Sequence, residues 1–104
     1  MIYELRQYTT HPGRLNSWLK VYEEQRLPIL QRCLGTLIGA FTTETGTLNQ
    51  LVQIWAYQDH ADRASRRAAL WSDPQWLDPS ANTSDALQLQ ESTLLVPTRF
   101  SPLR

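Results

Sequence analysis

The feature that most restricts the fold of this chain is a change of hydrophobic period inside residues 53–70, QIWAYQDHADRASRRAAL. Val52, Ile54 and Ala56 alternate with Gln53, Trp55 and Tyr57, the period of a strand with two different faces. At Asp59 the period becomes helical. Asp59 is a good N-cap and Asp62 adds negative charge to the first turn, while Ala61, Ala64, Ala68 and Trp71 recur on one stripe. Arg63, Arg66 and Arg67, at i, i+3 and i+4, share the opposite face. A strand bearing Gln, Trp and Tyr thus runs straight into a helix bearing three guanidinium groups, and a site is expected around that junction.

The flanking segments supply the rest of the architecture. Residues 2–10 alternate as a strand, with Tyr3 and Leu5 on one face and Glu4, Arg6 and Tyr8 on the other. After the His11-Pro12-Gly13 turn, Leu15, Trp18, Leu19 and Tyr22 form a helical apolar stripe. Pro28 lacks the N–H that the carbonyl of Glu24 needs, so a kink or break is expected, with residues 29–34 as a second helical piece ended by Gly35. Residues 36–43 and 50–58 read as strands joined by a hairpin loop containing Gly46. The Asp59 helix is expected to reach about Ser72. Pro74 can open one short turn holding Trp76, residues 80–85 form a polar loop, and a last strand spans about 87–96.

The order β-α-β-β-α-β, in one domain covering 1–104, is that of an α+β, ferredoxin-like fold: a four-stranded antiparallel sheet with both helices on one face. The simplest assignment puts Leu5, Val52, Ile54 and Ala56 under the helices. Arg6, Tyr8, Trp55, Tyr57 and either Phe41 or Ile38 would then face outward, a patch that a second sheet from an identical subunit would bury. A homodimer is therefore expected.

Charge and composition exclude several classes. Lys+Arg 10 balances Asp+Glu 10, so no global field draws the chain to nucleic acid or a membrane surface. Only Lys20 among the basic residues is a lysine, which base composition of the genome explains as well as any need for bidentate contacts. Cys33 is alone, so neither an intrachain disulfide nor a cysteine zinc cluster can form, and it reads as a small buried hydrophobe. His11 and His60 belong to no metal-ligand spacing, and there is no Gly-rich phosphate loop; no metal and no cofactor are expected. The first residues enter a strand pattern at once, without a basic and apolar leader, so a soluble cytoplasmic protein is expected.

Over nearly its whole length the chain resembles a NIPSNAP-type domain. The matching pieces are YELRQYTTHPG at the start, LPIL, GAFTTETGTLNQLVQIWAYQDHADRASRRAAL, DPQW and the closing FSP. Trp55, Tyr57, Arg63 and Arg67 fall where that family's pattern expects them. The resemblance implies a dimeric α+β barrel, in which two ferredoxin-like sheets face one another, but little about activity. Larger eukaryotic members carry mitochondrial targeting segments and are linked to membrane and organelle biology; no such extension, and no such trafficking role, is expected for this chain. Other dimeric α+β barrels include cofactor-independent monooxygenases, haem-degrading enzymes and lyases, a kinship of fold alone.

These elements give a candidate ligand-binding set of Glu4, Arg6, Tyr8, Trp55, Tyr57, Arg63 and Arg67, with no catalytic residue singled out. Placed between sheet and partner, they would form an aromatic cavity with a few convergent polar groups for a small aromatic or carboxylate-bearing metabolite. Arg6 would bind a carboxylate or enolate oxygen, Glu4 would act as base or as orienter of Arg6, and Tyr8 or Tyr57 would donate a hydrogen bond, in cofactor-independent oxygenation or proton transfer. The alternative is a non-catalytic dimerisation or interaction module, with Glu4 and Arg6 as an interface ion pair and Trp55 as core. For Arg63, Arg66 and Arg67 the bland reading is a solvated face, or local pairs of Asp59 with Arg63 and Asp62 with Arg66, with Arg63 or Arg67 structural; a role in tying down the 73–76 turn is a further expectation for one of the three.

Overall fold

Strand β1 (Ile2–Thr10) holds the centre of the structure because both of its edges are paired. In the computed structural model, which describes residues 1–78 and 84–104, it lies antiparallel to β3 (Gln50–Tyr57) on one side and to β4 (Leu87–Leu95) on the other. Strand β2 (Thr36–Thr42) adds to the far edge of β3, giving the sheet order β2-β3-β1-β4. That order and the element sequence make the α+β, ferredoxin-like sheet, with the hairpin β2–β3 and the two crossovers placed as expected.

The first crossover is one continuous helical run. Helix α1 (Leu15–Val21) passes through a π-helical turn (Tyr22–Arg26) into α2 (Leu27–Leu34). The expected kink or break at Pro28 is replaced by local widening upstream. The Leu27 N–H bonds the carbonyl of Tyr22, five residues back, so the helix absorbs the donor missing at Pro28 without stopping. Gly35, at φ +91°, ends α2 in a conformation that only glycine adopts without strain. The second crossover is α3 (His60–Leu70), with Asp59 as N-cap accepting from the Asp62 N–H at 2.7 Å and Asp62 accepting from the Gln58 N–H at 2.9 Å. Helix α4 (Pro74–Leu77) is the short turn expected around Trp76, and a 3-10 turn (Ser84–Ala86) leads into β4. Most of the expected polar loop, residues 80–83, lies outside the described residues.

The sheet's faces are the reverse of the simplest assignment. Directly opposed residues share a face, and the register pairs Glu4 with Trp55, Arg6 with Gln53 and Tyr8 with Leu51. This is the covered face: the Tyr8 ring lies 5.6 Å from Trp18 and 6.1 Å from Tyr22, and Trp55 has no exposed surface. Leu5, Val52 and Ile54 face outward with Phe41 and Leu89, which are 59% and 51% exposed. Alternation tells which residues travel together, not which set the helices cover. Here the aromatic set is the covered one, and its buried amide Gln53 is satisfied from within the face. The Gln53 amide meets the Tyr22 hydroxyl at 2.8 and 3.0 Å and accepts from Trp55 Nε1 at 3.1 Å.

Helix α3 is turned over in the same way. Ala61, Ala64, Ala68 and Trp71 are exposed, while Leu70 is buried and Arg63, Arg66 and Arg67 are half-buried. Alanines offer little area to bury, whereas arginine stems cover apolar surface and their heads reach polar partners beneath. Cys33 is half-buried, its thiol 3.8 Å from Asp73, and burial pushes its pKa up.

Candidate functional site

Between the covered face of the sheet and the helices lies a cavity of about 410 Å³. The sheet contributes Arg6, Tyr8, Gln53 and Trp55; the first crossover contributes Trp18, Tyr22, Arg26, Leu30 and Leu34; α3 contributes Arg67 and Leu70; and Trp76 stands on α4. The strand period brings Arg6 and Tyr8 to this side together, and the helical stripe of α1 brings Trp18 and Tyr22 to meet them. Trp18 and Tyr22 stack with ring centroids 5.0 Å apart. The expected location, between two sheets, is thus corrected to the space between sheet and helices within one chain.

Beside the cavity sits an ion cluster centred on Glu4, whose side chain is fully buried. Its carboxylate accepts from Arg6 Nη1 at 2.9 Å, Arg63 Nη2 at 3.0 Å, Ser92 Oγ at 2.5 Å and the Tyr57 hydroxyl at 3.4 Å. Burial pushes the Glu4 carboxyl upward, but Arg63, Ser92 and Arg6 outweigh it and hold its pKa at about 2. Burial and the neighbouring carboxylate push Tyr57 up to about 12. A carboxylate held so firmly ionised is a weak base, so Glu4 orients Arg6 and Arg63 and is not placed to take a proton. Arg6 in turn donates from Nε to the Tyr8 hydroxyl at 2.9 Å.

Of the residues singled out from sequence, Arg6, Tyr8, Trp55 and Arg67 line the cavity, and Glu4, Tyr57 and Arg63 form the cluster next to it. The arginine face of α3 divides: Arg66 makes the expected local pair with Asp62 at 2.9 Å, whereas Arg63 reaches Glu4 instead of Asp59 and Arg67 opens onto the cavity. Nor does an arginine of α3 bond the turn at α4, which α3 meets through the Leu70 carbonyl accepting from the Asp73 N–H at 3.1 Å and through Trp71 edge-on to Trp76. Arg32 pairs with Asp73, and Arg26 bonds the Trp76 carbonyl at 3.1 Å with its guanidinium 3.9 Å from the indole centroid. Sequence reasoning missed Trp18, Tyr22, Arg26, Gln53 and Trp76 as cavity walls. The available signal was the shared length of the two stripes, Tyr8 and Gln53 against Trp18 and Tyr22, but it needed the correct sheet face. Among the described residues, no three His, Cys, Asp or Glu side chains group as a metal site, and no helix is long and apolar enough to cross a membrane.

The NIPSNAP family profile matches residues 3–102, and with them both sheet–helix junctions that build the cavity. The chain belongs to the NIPSNAP family. A crystal structure of a NIPSNAP family protein of unknown function from Agrobacterium tumefaciens superposes with a TM-score of 0.92 at 40% identity, covering 100% of this chain and 94% of that one. An uncharacterized NIPSNAP domain protein from Burkholderia xenovorans gives 0.90 at 38% identity, covering 98% and 99%. Protein NipSnap homolog 3B of Mus musculus is 30% identical over 103 residues, 99% of this chain but 42% of that protein. The chain thus spans less than half the length of such curated relatives. A putative antibiotic biosynthesis monooxygenase from Nitrosomonas europaea shares the fold, with a TM-score of 0.65 over 93% of this chain and 98% of that one, at only 8% identity.

Proposed function

We propose that this NIPSNAP domain binds a small aromatic or carboxylate-bearing metabolite in the cavity between sheet and helices, as a cytoplasmic homodimer. The observation that carries this reading is the cavity itself: about 410 Å³, walled by Trp18, Tyr22, Trp55 and Trp76, with Arg6, Tyr8 and Arg67 as its convergent polar groups. Any chemistry on the ligand would be cofactor-independent oxygenation or proton transfer, in which Tyr8 donates a hydrogen bond and Arg6 stabilises developing negative charge. Glu4 enters only by positioning Arg6. Homodimerisation is supported by the open sheet face, where Leu5, Val52, Ile54, Phe41 and Leu89 form an apolar surface that a second sheet would cover. That same face favours a second reading, a dimerisation or interaction module in which the cavity has no ligand.

Native mass spectrometry of freshly purified protein tests both, read against the denatured mass and against Leu87→Trp, which adds bulk at the cavity wall. The expected result is a dimer carrying extra small-molecule mass that Leu87→Trp loses. A bare dimer, with wild type and Leu87→Trp alike, would overturn ligand binding in favour of the interaction module.

A further inference from the structure

We propose that the cavity takes an aromatic ligand bearing two anionic groups, one bound by Arg67 and the other by Arg6 with Tyr8. This rests on the reading of the cavity as a binding site. The chain as a whole is neutral, but its charge is unevenly placed. Arg6, Arg26 and Arg67 line the cavity and Arg63 stands behind it, four guanidinium groups. The carboxylates in the same place are Glu4 and Asp78, which leaves a formal excess of two positive charges. The nearby acids are occupied elsewhere: Asp62 by Arg66, Asp73 by Arg32 and Asp85 by Arg14. Residues 79–83, PSANT, carry no charge that could offset it.

The distribution of free donors points to where the anionic groups sit. Arg67 has no hydrogen-bond or ion-pair partner among the described residues, and it lines the cavity. No buried side-chain nitrogen or oxygen among those residues lacks a partner, so the open N–H groups of Arg67 are accessible. Arg6 uses Nε for Tyr8 and Nη1 for Glu4, which leaves Nη2 without an acceptor among the described residues. Because the Tyr8 oxygen accepts from Arg6, its own O–H remains to be donated to a ligand. Arg26 is committed differently, flat against Trp76 and bonded to its carbonyl. A guanidinium left unpaired among aromatic walls gains most from a carboxylate or enolate, because low surrounding polarity strengthens a charge-assisted pair. Arg67 as such a group, and the open Nη2 of Arg6 together with the Tyr8 O–H as a second donor set, face an indole-rich cavity and fit a ring with two acidic substituents.

The test is isothermal titration of the full chain, cleared of any co-purifying small molecule, with benzamide, benzoate and the three benzenedicarboxylates. At least one dicarboxylate is expected to bind about tenfold tighter than benzoate, and benzoate tighter than benzamide. Arg67→Gln should bring that dicarboxylate down to the level of benzoate, whereas Arg99→Gln, which removes the same charge from the C-terminal tail, should leave its affinity unchanged. Arg67→Lys, which keeps the charge but loses the fork geometry, should fall between. The melting temperature of unliganded Arg67→Gln checks that the variant is folded; should it not be, Arg67→Lys carries the comparison. Equal affinities for benzamide and the carboxylates, or no effect of either Arg67 variant, would overturn the two-anion inference while leaving a cavity that binds neutral aromatics. No binding of any probe would overturn it as well, and together with a bare dimer in the native spectrum would remove the binding-site reading itself.

Discussion

Glu4 has no exposed surface and touches Arg6, Arg63, Ser92 and Tyr57, so its ionisation is coupled to the fold. In the unfolded chain its carboxyl titrates near the ordinary 4.5; in the fold it titrates at about 2. Between those values the unfolded chain holds a proton that the native state does not. Stability from this group is therefore full above about pH 4.5 and is lost as pH falls toward 2, an effect on the order of 3 kcal/mol. Glu4→Gln leaves two guanidinium groups without their counter-charge and should cost about 3 kcal/mol at pH 7. Urea unfolding of both proteins at pH 7 and pH 3 checks this: the gap between them should narrow at pH 3. A gap of the same size at both pH values would mean that Glu4 is not held ionised by the fold. The alternation of β1 made Glu4, Arg6 and Tyr8 legible as one set from sequence. Their covering by the helices was not legible, because a buried Glu is permitted only by partners 59 and 88 residues away in the chain.

At the scale of elements, local signals were sufficient where they were covalent or capping signals. Asp59 begins α3 as its residue type dictates, and removing its side-chain oxygens should free the Asp62 N–H that it now accepts from. Asp59→Ala is expected to lower stability by about 1 kcal/mol in chemical denaturation, while leaving the far-UV helical signal of the native state intact. A change within error would show that the helix start is held by packing rather than by its cap. Pro28 marked a disturbance correctly but not its form. A missing N–H can be absorbed by a π turn when the helix on both sides is anchored, as it is here by Trp18 and Tyr22 before and Ile29, Leu30 and Leu34 after. The orientation of α3 was beyond local reading for a related reason. Its hydrophobic side is alanine, and the side that packs inward is decided by what waits beneath it, Glu4 for Arg63 and the cavity for Arg67.

At the scale of the whole molecule, the open face of the sheet is where the proposed homodimer would form. Phe41 and Leu89 project from it with most of their rings and branches exposed, alongside Leu5, Val52 and Ile54. Stable dimers bury upward of roughly 1,000 Å², which is the contact two such faces would have to supply. Phe41→Asp on edge strand β2 and Leu89→Asp on edge strand β4 would place charge within the proposed contact without touching the helix-covered side. Light scattering after size exclusion is expected to show a dimer for the parent chain and a monomer for each variant; a monomeric parent chain would overturn the proposed homodimer. A dimer that survives both would place the contact elsewhere.

The element order, the α+β class, the NIPSNAP relationship and the sharing of one face of β1 by Glu4, Arg6 and Tyr8 were legible in the sequence alone, because period, caps and turn residues act over a few positions. Which face of the sheet is covered, which face of α3 turns inward, and hence that the cavity lies inside one chain, only the tertiary structure decided. Both faces of β3 are apolar enough to be buried, and the choice between them rests on long-range partners: Tyr22 for Gln53, Arg63 and Ser92 for Glu4. Those partners make the polar face the cheaper one to bury, and no window along the chain contains them together.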